Sequence, residues 1–335
     1  MEILVDVNGS DNGIEPAILG SVNTIDKIKS NIKLVGDESK ILEVISNNYN
    51  EARKNEILSK ITILDAKDVI TNNDEPAFAI KNKKESSIVK AYDYMKENEE
   101  TLFLSAGSTG AIMAGGLLKL KRIAGIHRPA LVTILPTSNG KGTILLDCGA
   151  NVDAATISML QYAKMGKLYA SLVQNKKEVK IALLNIGAES EKGSQELKEA
   201  NQALTERFPE FIGNIEPRYI LSGNADVVVA QGLMGNTALK SMEGTAKIMK
   251  NALVSEMKKN IFTKIRAVIC KSMIEKALYK YDYTKYGGAV LLGVKKPVIK
   301  IHGNAKVNNF ETAIYQADRI LQNNLIKEIT ENIEE

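Results

Sequence analysis

The sequence is poor in the residues on which several common kinds of site depend. Among its 335 residues there are two cysteines, two histidines and no tryptophan, and aromatic residues make up 5%. Without clustered cysteine and histidine a zinc site is not expected, and so few aromatic side chains argue against stacking on single-stranded nucleic acid. Cys148 and Cys270 lie far apart in apolar settings, which favours reduced thiols in a cytoplasmic protein over a disulfide framework.

The chain also has little net charge and no long apolar run. Its formal net charge of +4 gives no reason by itself to expect a nucleic-acid partner. No apolar run approaches the roughly 20 residues of a membrane-spanning helix. The first residues, MEILVDVNGSD, have the pattern of a strand and a turn, so we do not expect a signal peptide.

Several nucleotide, metal and nucleophile motifs are missing as well. The sequence has no G-x-x-x-x-G-K-[ST] loop, no G-x-G-x-x-G after its first strand, no H-E-x-x-H and no C-x-x-C. It therefore lacks the usual signatures of a P-loop, a nicotinamide site and a zinc protease. No G-x-S-x-G elbow is present either, and only His127 and His302 could serve a serine triad. We expect no metal and no cofactor.

What the chain does contain is an alternation of apolar strands and amphipathic helices from end to end, with helices predicted, for example, over 38–53 and 309–329. Polar residues follow many of the strands, and in an open α/β sheet this edge is where ligands bind. The pattern predicts an α/β fold with helices on both faces of the sheet and a large cleft at one edge. The polar residues at the strand ends are Asp6, Ser105, Asp147, Asn185, Gln231 and His302.

The stretch at 101–119, TLFLSAGSTGAIMAGGLLK, is the most informative of these turns. A buried strand gives way to a tight glycine turn and then to a helix packed closely on the sheet. Free N–H groups at a helix N-terminus favour an anion, and glycine lets its oxygen atoms approach the backbone. The stretch predicts a phosphate-sized pocket or, as the alternative, only a well-capped helix. The pocket would be formed by Ser105, Gly107, Ser108, Thr109 and Gly110.

Two further side chains could take part in chemistry at the turns. Lys192 follows a strand and precedes Gly193, where it could neutralise phosphate or protonate a leaving group, although a solvated surface lysine is the alternative. Cys148 could be a nucleophile, but a buried small apolar residue is the simpler interpretation because no histidine is near it in sequence. Glycine turns, amides and lysines suit phosphate binding and oxyanion stabilisation better than covalent catalysis.

The segment 244–286 combines an apolar stripe with an excess of lysine. The pattern is typical of a helix that lies in the interface of an anionic membrane. The alternative is an ordinary amphipathic helix packed on the domain or on a dimer partner. The apolar stripe consists of Ile261, Phe262, Ile265, Val268, Ile269 and Met273, and the basic residues are Lys258, Lys259, Lys264, Arg266, Lys271 and Lys276.

Taken together, the motifs resemble one family, the bacterial phosphate acyltransferases (PlsX), which make acyl-phosphate for phospholipid synthesis. Each string alone is weak, whereas their order and spacing over nearly the whole chain carry the resemblance. The strings are SAGSTGA at 105–111, RPAL at 128–131, GANVD at 149–153, YAKMG at 162–166, LLNIG at 183–187, EKG at 191–193, GNIEPR at 213–218, ADVVV at 225–229, GNTALK at 235–240, YGGA at 286–289 and IKIHG at 299–303.

The resemblance implies a three-layer α/β/α sandwich with a mostly parallel sheet, similar to the isocitrate dehydrogenase and phosphotransacetylase group. It implies one acyltransferase domain over 1–335, a homodimer, and a helical hairpin at 244–286 that contacts membrane or the dimer partner. The implied reaction converts acyl-[acyl carrier protein] and inorganic phosphate to acyl-phosphate and free carrier protein. The implied location is the cytoplasm, with peripheral attachment to an anionic membrane.

The resemblance also implies which positions form the site. The catalytic residues would be Lys192, Asn185 and His302. The residues that bind phosphate or substrate would be Asp6, Gly9, Asp11, Ser105, Gly107, Ser108, Thr109, Gly110, Asp147, Gly149, Asn151, Gly235, Asn236 and Lys240.

Two other interpretations stay open, and three departures from the family pattern motivate the second of them. Asn8 and Ser10 stand where the family's first turn, D-x-M-G-G-D, has Met and Gly. Gln231 stands where a later motif of the family has Asp. One alternative is an enzyme of phosphotransacetylase type that forms a short-chain acyl-phosphate. The other is a weakly active protein that binds carrier protein or membrane as a scaffold.

Overall fold

A computed structural model of the chain describes residues 1–281 and 283–333, in which strands and helices alternate as predicted. The strands are β1 (Glu2–Asp6), β2 (Asn31–Gly36), β3 (Ile61–Asp65), β4 (Thr101–Ser105), β5 (Ala130–Leu135), β6 (Thr143–Leu146), β7 (Ile181–Leu184), β8 (Phe211–Ile215), β9 (Val227–Val229), β10 (Ala289–Leu292) and β11 (Val298–Lys300).

The α-helices in the same residues are α1 (Glu15–Thr24), α2 (Glu38–Asn48), α3 (Glu51–Lys60), α4 (Pro76–Asn82), α5 (Ser87–Glu97), α6 (Thr109–Gly115), α7 (Thr156–Leu172), α8 (Gln195–Arg207), α9 (Gly232–Lys258), α10 (Ile261–Lys280), α11 (Val307–Gln322) and α12 (Leu325–Asn332). A π-helical turn, Gly116–Leu120, extends α6. The strands are mostly parallel and helices lie on both sides of them, which confirms the predicted α/β sandwich.

Contacts between residues divide the chain into two compact units. The first unit comprises Met1–Thr133, Lys167–Glu178 and Thr284–Glu335, and the second comprises Ile134–Gly166 and Val179–Tyr283. The single acyltransferase domain over 1–335 stays a prediction.

The sheet of the first unit is parallel over most of its width. Its strands follow the order β3-β2-β1-β4-β11-β10-β5, and only β10 runs antiparallel to its neighbours among the pairings described. Buried apolar side chains of β1, β4, α5 and α6 form a core on one side of this sheet. Helix α1 packs closely on α11, because a Cβ atom at Gly20 would lie 2.7 Å from Cβ of Phe310.

The sheet of the second unit has the order β6-β9-β7-β8, and its pairings are parallel. Helix α7 lies directly against it, since a Cβ atom at Gly166 would come 2.5 Å from Val227 Cγ1 and 3.1 Å from Leu146 Cδ2. A larger residue at this position would push the helix away from the strands.

The parallel pairings place the predicted polar residues at the carboxyl ends of the strands in each unit. Asp6 and Ser105 end β1 and β4, and His302 follows β11, all in the first unit. In the second unit, Asp147 and Asn185 directly follow β6 and β7, and Gln231 lies two residues beyond β9. Each unit therefore carries three of the six predicted strand-end residues on one edge.

Helices α9 and α10 form the predicted hairpin, but its first helix begins at Gly232 instead of at residue 244. Residue 282, inside the predicted range, lies outside the described residues. Four half-buried residues at helical spacing mark the side of α10 that packs on α9. They are Thr263, Ala267, Cys270 and Ile274. The six apolar side chains of the predicted stripe are between 54% and 76% exposed. Among the described helices, none is both long enough and apolar enough to cross a membrane.

Candidate active site

The ends of β1 and β4 are joined by a chain of hydrogen bonds. The register pairs Val5 with Leu104, which brings Asp6 beside Ser105. The Ser105 hydroxyl donates to Asp6 Oδ2 at 2.6 Å and accepts from the Gly107 N–H at 2.9 Å. The other carboxyl oxygen of Asp6 accepts from the N–H of Asn8 at 3.0 Å. One carboxyl group therefore holds both the turn after β1 and the glycine turn after β4.

Asp6 is almost completely enclosed, with 1% of its surface exposed. Burial raises the pKa of its carboxyl, because the charged form loses its hydration, while the hydrogen bond from Ser105 and the charge of Lys300 lower the pKa by less. An enclosed carboxyl with these partners is suited to organising loops, whereas an ionised carboxylate in direct contact with phosphate would repel it.

The turn after β1 lies against the glycine turn so closely that a side chain does not fit between them. A Cβ atom at Gly9 would overlap the backbone nitrogen of Gly107 and would lie 2.6 Å from its Cα. The amides of Thr109 and Gly110, at the start of α6, donate to no acceptor in the part of the chain that the structure describes. Such amides at a helix N-terminus are available to an anion.

The two departures in the first turn are accommodated by hydrogen bonds of this chain's own. The Asn8 side chain donates to the Ala66 carbonyl at 3.3 Å. The Ser10 hydroxyl donates to the Gly303 carbonyl at 3.2 Å, and the N–H of Asp11 donates to the same oxygen at 2.7 Å. The turn is thereby tied to the residues after β11, and the side chains of Asp11 and His302 are exposed on these adjoining turns.

In the second unit, the turn after β6 is organised by a fully buried acid. Asp147 accepts from the N–H groups of Gly149, Ala150 and Asn151 at 3.0, 2.9 and 2.8 Å. It also accepts from the side-chain amide of Asn151 at 2.8 Å, and the same amide donates to the Tyr162 hydroxyl at 3.0 Å. The backbone amides of this turn are thus engaged by Asp147, unlike those at the start of α6.

The first turn of α9 is packed directly on that loop. A Cβ atom at Gly235 would overlap the carbonyl oxygen of Asp147, and one at Gly232 would overlap that of Asn151. Asn236 lies half-buried against the loop, 3.4 Å from where a Cβ atom of Gly149 would stand. About one turn beyond Asn236, the exposed Lys240 pairs with Glu243 at 3.0 Å.

The departure at Gln231 falls at the N-cap of α9, where its side chain makes no capping bond. It donates instead to the Ala154 carbonyl at 3.4 Å. The N-terminus of α9 consequently lacks the carboxylate that the family's usual Asp would place there.

The loop after β7 is held from inside by Asn185. Its buried side-chain amide donates to the Lys192 carbonyl at 3.0 Å, and its side-chain oxygen accepts from the Ile186 N–H at 2.8 Å. Gly193, at φ +90°, fits only without a side chain, since a Cβ atom would lie 2.6 Å from Asn185 Oδ1. This geometry favours Asn185 as a positioning residue and leaves the exposed Lys192 side chain as the group able to meet a substrate.

Cys148 is buried, and burial raises the pKa of its thiol, with the neighbouring Asp147 raising it further. Because the thiolate is the nucleophilic form, this environment suits an inert buried cysteine. Among the described residues there is also no group of three or more His, Cys, Asp or Glu side chains placed to hold a metal ion.

The predicted site residues therefore fall into two groups, each assembled within one unit. The first-unit group is Asp6, Gly9, Asp11, Ser105, Gly107, Ser108, Thr109, Gly110 and His302, and the second-unit group is Asp147, Gly149, Asn151, Asn185, Lys192, Gly235, Asn236 and Lys240. Two residues that shape the second-unit group are absent from the predicted set. Tyr162 accepts a hydrogen bond from Asn151 and is the first residue of the YAKMG string, which was the available signal. Gly232 packs against the Asn151 carbonyl.

The amino-acid sequence is similar to known proteins over nearly its whole length. A family model described as fatty acid synthesis protein matches residues 1–328. A phosphate acyltransferase of Thermoanaerobacterium thermosaccharolyticum is 42% identical over 334 residues, which cover 100% of this chain and 97% of the relative. A phosphate acyltransferase of Bacillus pumilus is 43% identical over 323 residues, with 96% and 94% covered.

Solved structures with the same fold include two phosphotransacetylases. The enzyme of Streptococcus pyogenes superposes with a TM-score of 0.60 at 14% identity, and that of Staphylococcus aureus with 0.58 at 16%; each match covers 96% of this chain and 94% of the other. At such low identity the likeness establishes the fold alone. The family model and the full-length relatives establish the family: the chain belongs to the fatty acid synthesis protein family, alongside relatives named phosphate acyltransferase.

Proposed function

We propose that this protein is a phosphate acyltransferase that moves the acyl group of acyl-[acyl carrier protein] onto inorganic phosphate, in the synthesis of phospholipid. The observation that carries the proposal is the 42% identity to a phosphate acyltransferase over the full length of this chain. The products are acyl-phosphate and free carrier protein.

The reaction is a single acyl transfer. A phosphate oxygen attacks the thioester carbonyl carbon, a C–O bond forms, the C–S bond breaks, and the thiolate leaves and takes a proton. Negative charge has to be stabilised on phosphate, on the tetrahedral oxygen and on the leaving sulfur, which is the kind of work that fixed N–H groups and a lysine perform. No covalent intermediate on the protein is required.

The start of α6 is the best-suited phosphate site in the first unit. The amides of Thr109 and Gly110 are unengaged within the described chain, and Ser108 supplies a hydroxyl beside them. Asp6 and Ser105 act from behind this turn, since their hydrogen bonds set the position of Gly107. Gly9 is the residue that allows the turn after β1 to approach.

In the second unit, Lys192 is the proposed catalytic cation. Asn185 anchors its backbone, and its side chain runs across Gly187, where a Cβ atom would lie 3.0 Å from Lys192 Cγ. The lysine assists at phosphate or at the leaving thiolate. Asp147 shapes the neighbouring turn, against which Gly149, Asn151, Gly235 and Asn236 form the proposed substrate surface, with Lys240 on the same helix.

His302 and Asp11 complete the proposed set in the first unit. Both side chains are exposed, and the hydrogen bonds of Ser10 and Asp11 to Gly303 hold their turns together. An imidazole can both accept and donate a proton, and proton exchange with substrate is the role proposed for His302.

The experiment that tests the proposal measures phosphate-dependent release of free carrier protein from palmitoyl-[acyl carrier protein], with hydroxylamine trapping of the acyl-phosphate. Phosphate-dependent turnover is expected. Trapping only with acetyl thioesters would instead favour a short-chain enzyme of phosphotransacetylase type. A folded protein that binds carrier protein but is silent with both donors would be a scaffold.

The hairpin is proposed to attach the protein peripherally to anionic membrane on the cytoplasmic side. Support comes from α10, where Phe262 and Val268 are 71% and 75% exposed beside basic residues. Exposed apolar surface flanked by lysine is suited to a membrane interface that carries negative charge.

Vesicle flotation tests this attachment. Wild-type protein is expected to float with phosphatidylglycerol vesicles and to remain behind with phosphatidylcholine vesicles. The double variant Phe262→Glu/Val268→Glu should no longer float, whereas Leu118→Glu, which changes an exposed apolar residue of the first unit, should float like wild type. Flotation of the double variant would refute membrane attachment through α10.

A further inference from the structure

Helix α4 begins against the proposed phosphate turn. A Cβ atom at Gly110 would lie 2.7 Å from Cγ of Pro76, the first residue of α4. The exposed side of this short helix is consequently part of the surface that surrounds the start of α6, all within the first unit. A macromolecule that delivers a substrate to that turn has to contact the protein near here.

An exposed aromatic residue stands on α4. Phe78 is 67% exposed, although the two residues that follow it in sequence, Ala79 and Ile80, are buried in the core. Lys81 follows it three residues later and so shares its side of the helix. Aromatic side chains left in water beside charged residues are typical anchors of protein interfaces.

Three lysines in and near α4 carry charge that no acid of this chain neutralises in the described residues. Lys67, Lys81 and Lys84 are exposed and form no ion pair there. The N–H of Asp68 donates to the Glu85 carbonyl, and the N–H of Ser87 donates to the Asp68 carbonyl. The residues next to Lys67 are thereby bonded to the residues just after Lys84.

Three acidic side chains in this part of the chain already have partners of their own. Asp74 pairs with Lys83 at 3.0 Å and Glu85 with Lys90 at 2.7 Å. The Glu75 carboxylate caps α4 by accepting from the N–H groups of Ala77 and Phe78. The surface formed by Lys67, Phe78, Lys81 and Lys84, hereafter the α4 surface, therefore combines three lysines that form no ion pair with one exposed aromatic side chain.

We propose that the α4 surface docks the acidic acyl carrier protein and so aims its thioester at the turn 107–110. This inference rests on the proposed function. Acidic patches on the carrier complement the three lysines, which would steer its approach and set its orientation, and Phe78 supplies the apolar contact. A second copy of this chain fits the surface less well, because a symmetric contact would bring the same lysines together.

The basic residues of α10 are not the docking site in this proposal. They flank side chains whose exposure is assigned to membrane. Helix α4, by contrast, contacts the turn 107–110 directly, through Pro76 and Gly110.

The test compares two acyl donors that carry the same acyl group, palmitoyl-[acyl carrier protein] and palmitoyl-pantetheine. For the double variant Lys81→Glu/Lys84→Glu we expect kcat/KM with the carrier-protein donor to fall by about tenfold or more, since like charges would face an acidic partner. Turnover of palmitoyl-pantetheine should be unchanged. Phe78→Ala should lower kcat/KM about fivefold with the carrier-protein donor only.

The matched control is Lys27→Glu/Lys29→Glu. Both lysines are exposed and lie in the loop before β2, at the opposite edge of the first-unit sheet from the site. This variant should behave like wild type with both donors. Rising salt should weaken carrier-protein turnover by wild type and by the control, and should affect Lys81→Glu/Lys84→Glu less.

Direct binding of labelled carrier protein, measured by fluorescence anisotropy, separates this inference from the proposed function. If wild type binds carrier protein without turnover, and the Lys81→Glu/Lys84→Glu variant loses binding, docking stands while the proposed reaction fails. Unchanged binding by that variant, equal loss with both donors, or a fall to monomer mass would each overturn docking on the α4 surface.

Discussion

At the scale of single residues, the polar side chains at the strand ends mostly bind their own loops. Asp6, Asp147 and Asn185 are all buried, and each is engaged by backbone groups within a few residues in sequence. Their hydrogen bonds order the turns that carry Thr109, Gly149 and Lys192. The residues able to contact a substrate are therefore the neighbours of these buried groups.

The buried Asp6 should make stability depend on pH. Its pKa is raised in the folded protein above the ordinary value of 3.8, so its favourable contribution is complete below that value and is lost as pH rises through the folded-state pKa. Asp6→Asn removes this titration. The free energy of unfolding of the variant, relative to wild type, should therefore increase as pH rises above about 4.

Urea unfolding of both proteins across that pH range checks the prediction. All other titrating groups are shared, so the difference between the two curves isolates Asp6. Asp26→Asn is a suitable control, because hydrogen bonds from Lys60 and Arg53 lower the pKa of that exposed carboxyl below 3.8, so its contribution is lost only at more acidic pH and the difference between this variant and wild type should stay nearly constant over the same range. A difference for Asp6→Asn that stays constant with pH would contradict the assignment.

Lys192→Ala should separate catalysis from folding. The side chain is exposed and its backbone carbonyl, not its ammonium group, accepts from Asn185, so the thermal midpoint should hardly move. Loss of a cation that stabilises the transition state should lower turnover on the order of 100-fold. Lys198→Ala, an exposed lysine on α8, is the matched control and should retain full turnover. Unchanged turnover in Lys192→Ala would remove this lysine from the mechanism.

At the scale of elements, the sequence predicts most strands and helices but not their interruptions. The helix predicted over 38–53 is wrong as one element, because Asn50 caps a second helix through the N–H of Arg53 and divides α2 from α3. The closing helix over 309–329 is likewise two helices, divided at Asn324, whose φ is +50°. An asparagine inside a helical pattern was the available signal in both cases.

The roles of the turn residues are harder to predict because they depend on distant contacts. The bond from Ser105 to Asp6 spans 99 positions, and the one from Ser10 to Gly303 spans 293. A sequence pattern places these residues at strand ends, yet it contains no information on burial. The resemblance places Asp147 and Asn185 among the site residues, and the structure adds that their side chains are buried and bind their own loops.

Two glycines of α9 test how tightly that helix is seated. Gly235→Ala would bring a Cβ atom onto the Asp147 carbonyl, so the helix must shift; we expect a loss of about 1–3 kcal/mol in the free energy of unfolding. Turnover should fall as well, because the Asp147 turn would move. Gly244→Ala in the same helix meets nothing within 4 Å and should stabilise by about 0.5–1 kcal/mol.

Denaturant unfolding and turnover of the two alanine variants provide the comparison. Since both substitutions add one methyl group to α9, the difference between them reports the contact at Asp147 and not helix propensity. Equal stability of the two variants would mean that α9 is free to move away from the loop.

At the scale of the whole molecule, the same device organises both units. In each, a buried acid at a strand end, Asp6 or Asp147, accepts hydrogen bonds from the turn that follows. The two turns differ in their backbone N–H groups. Those of Thr109 and Gly110 at the start of α6 donate to no acceptor in the described residues, whereas those after Asp147 donate to its carboxylate. This contrast favours the start of α6 over the turn after Asp147 as a place where backbone amides could hold phosphate.

The predicted homodimer and the predicted membrane contact compete for the same exposed face of α10. If that face serves the membrane, the Phe262→Glu/Val268→Glu variant should keep the mass of wild-type protein in light scattering while it loses flotation. If the face lies between two copies, the same variant should fall to the mass of one chain, since two buried carboxylates would have to leave water at the contact. We expect the first result, because lysine and arginine flank the apolar side chains and a symmetric pairing of α10 would bring these cations together without the anionic lipid that offsets them.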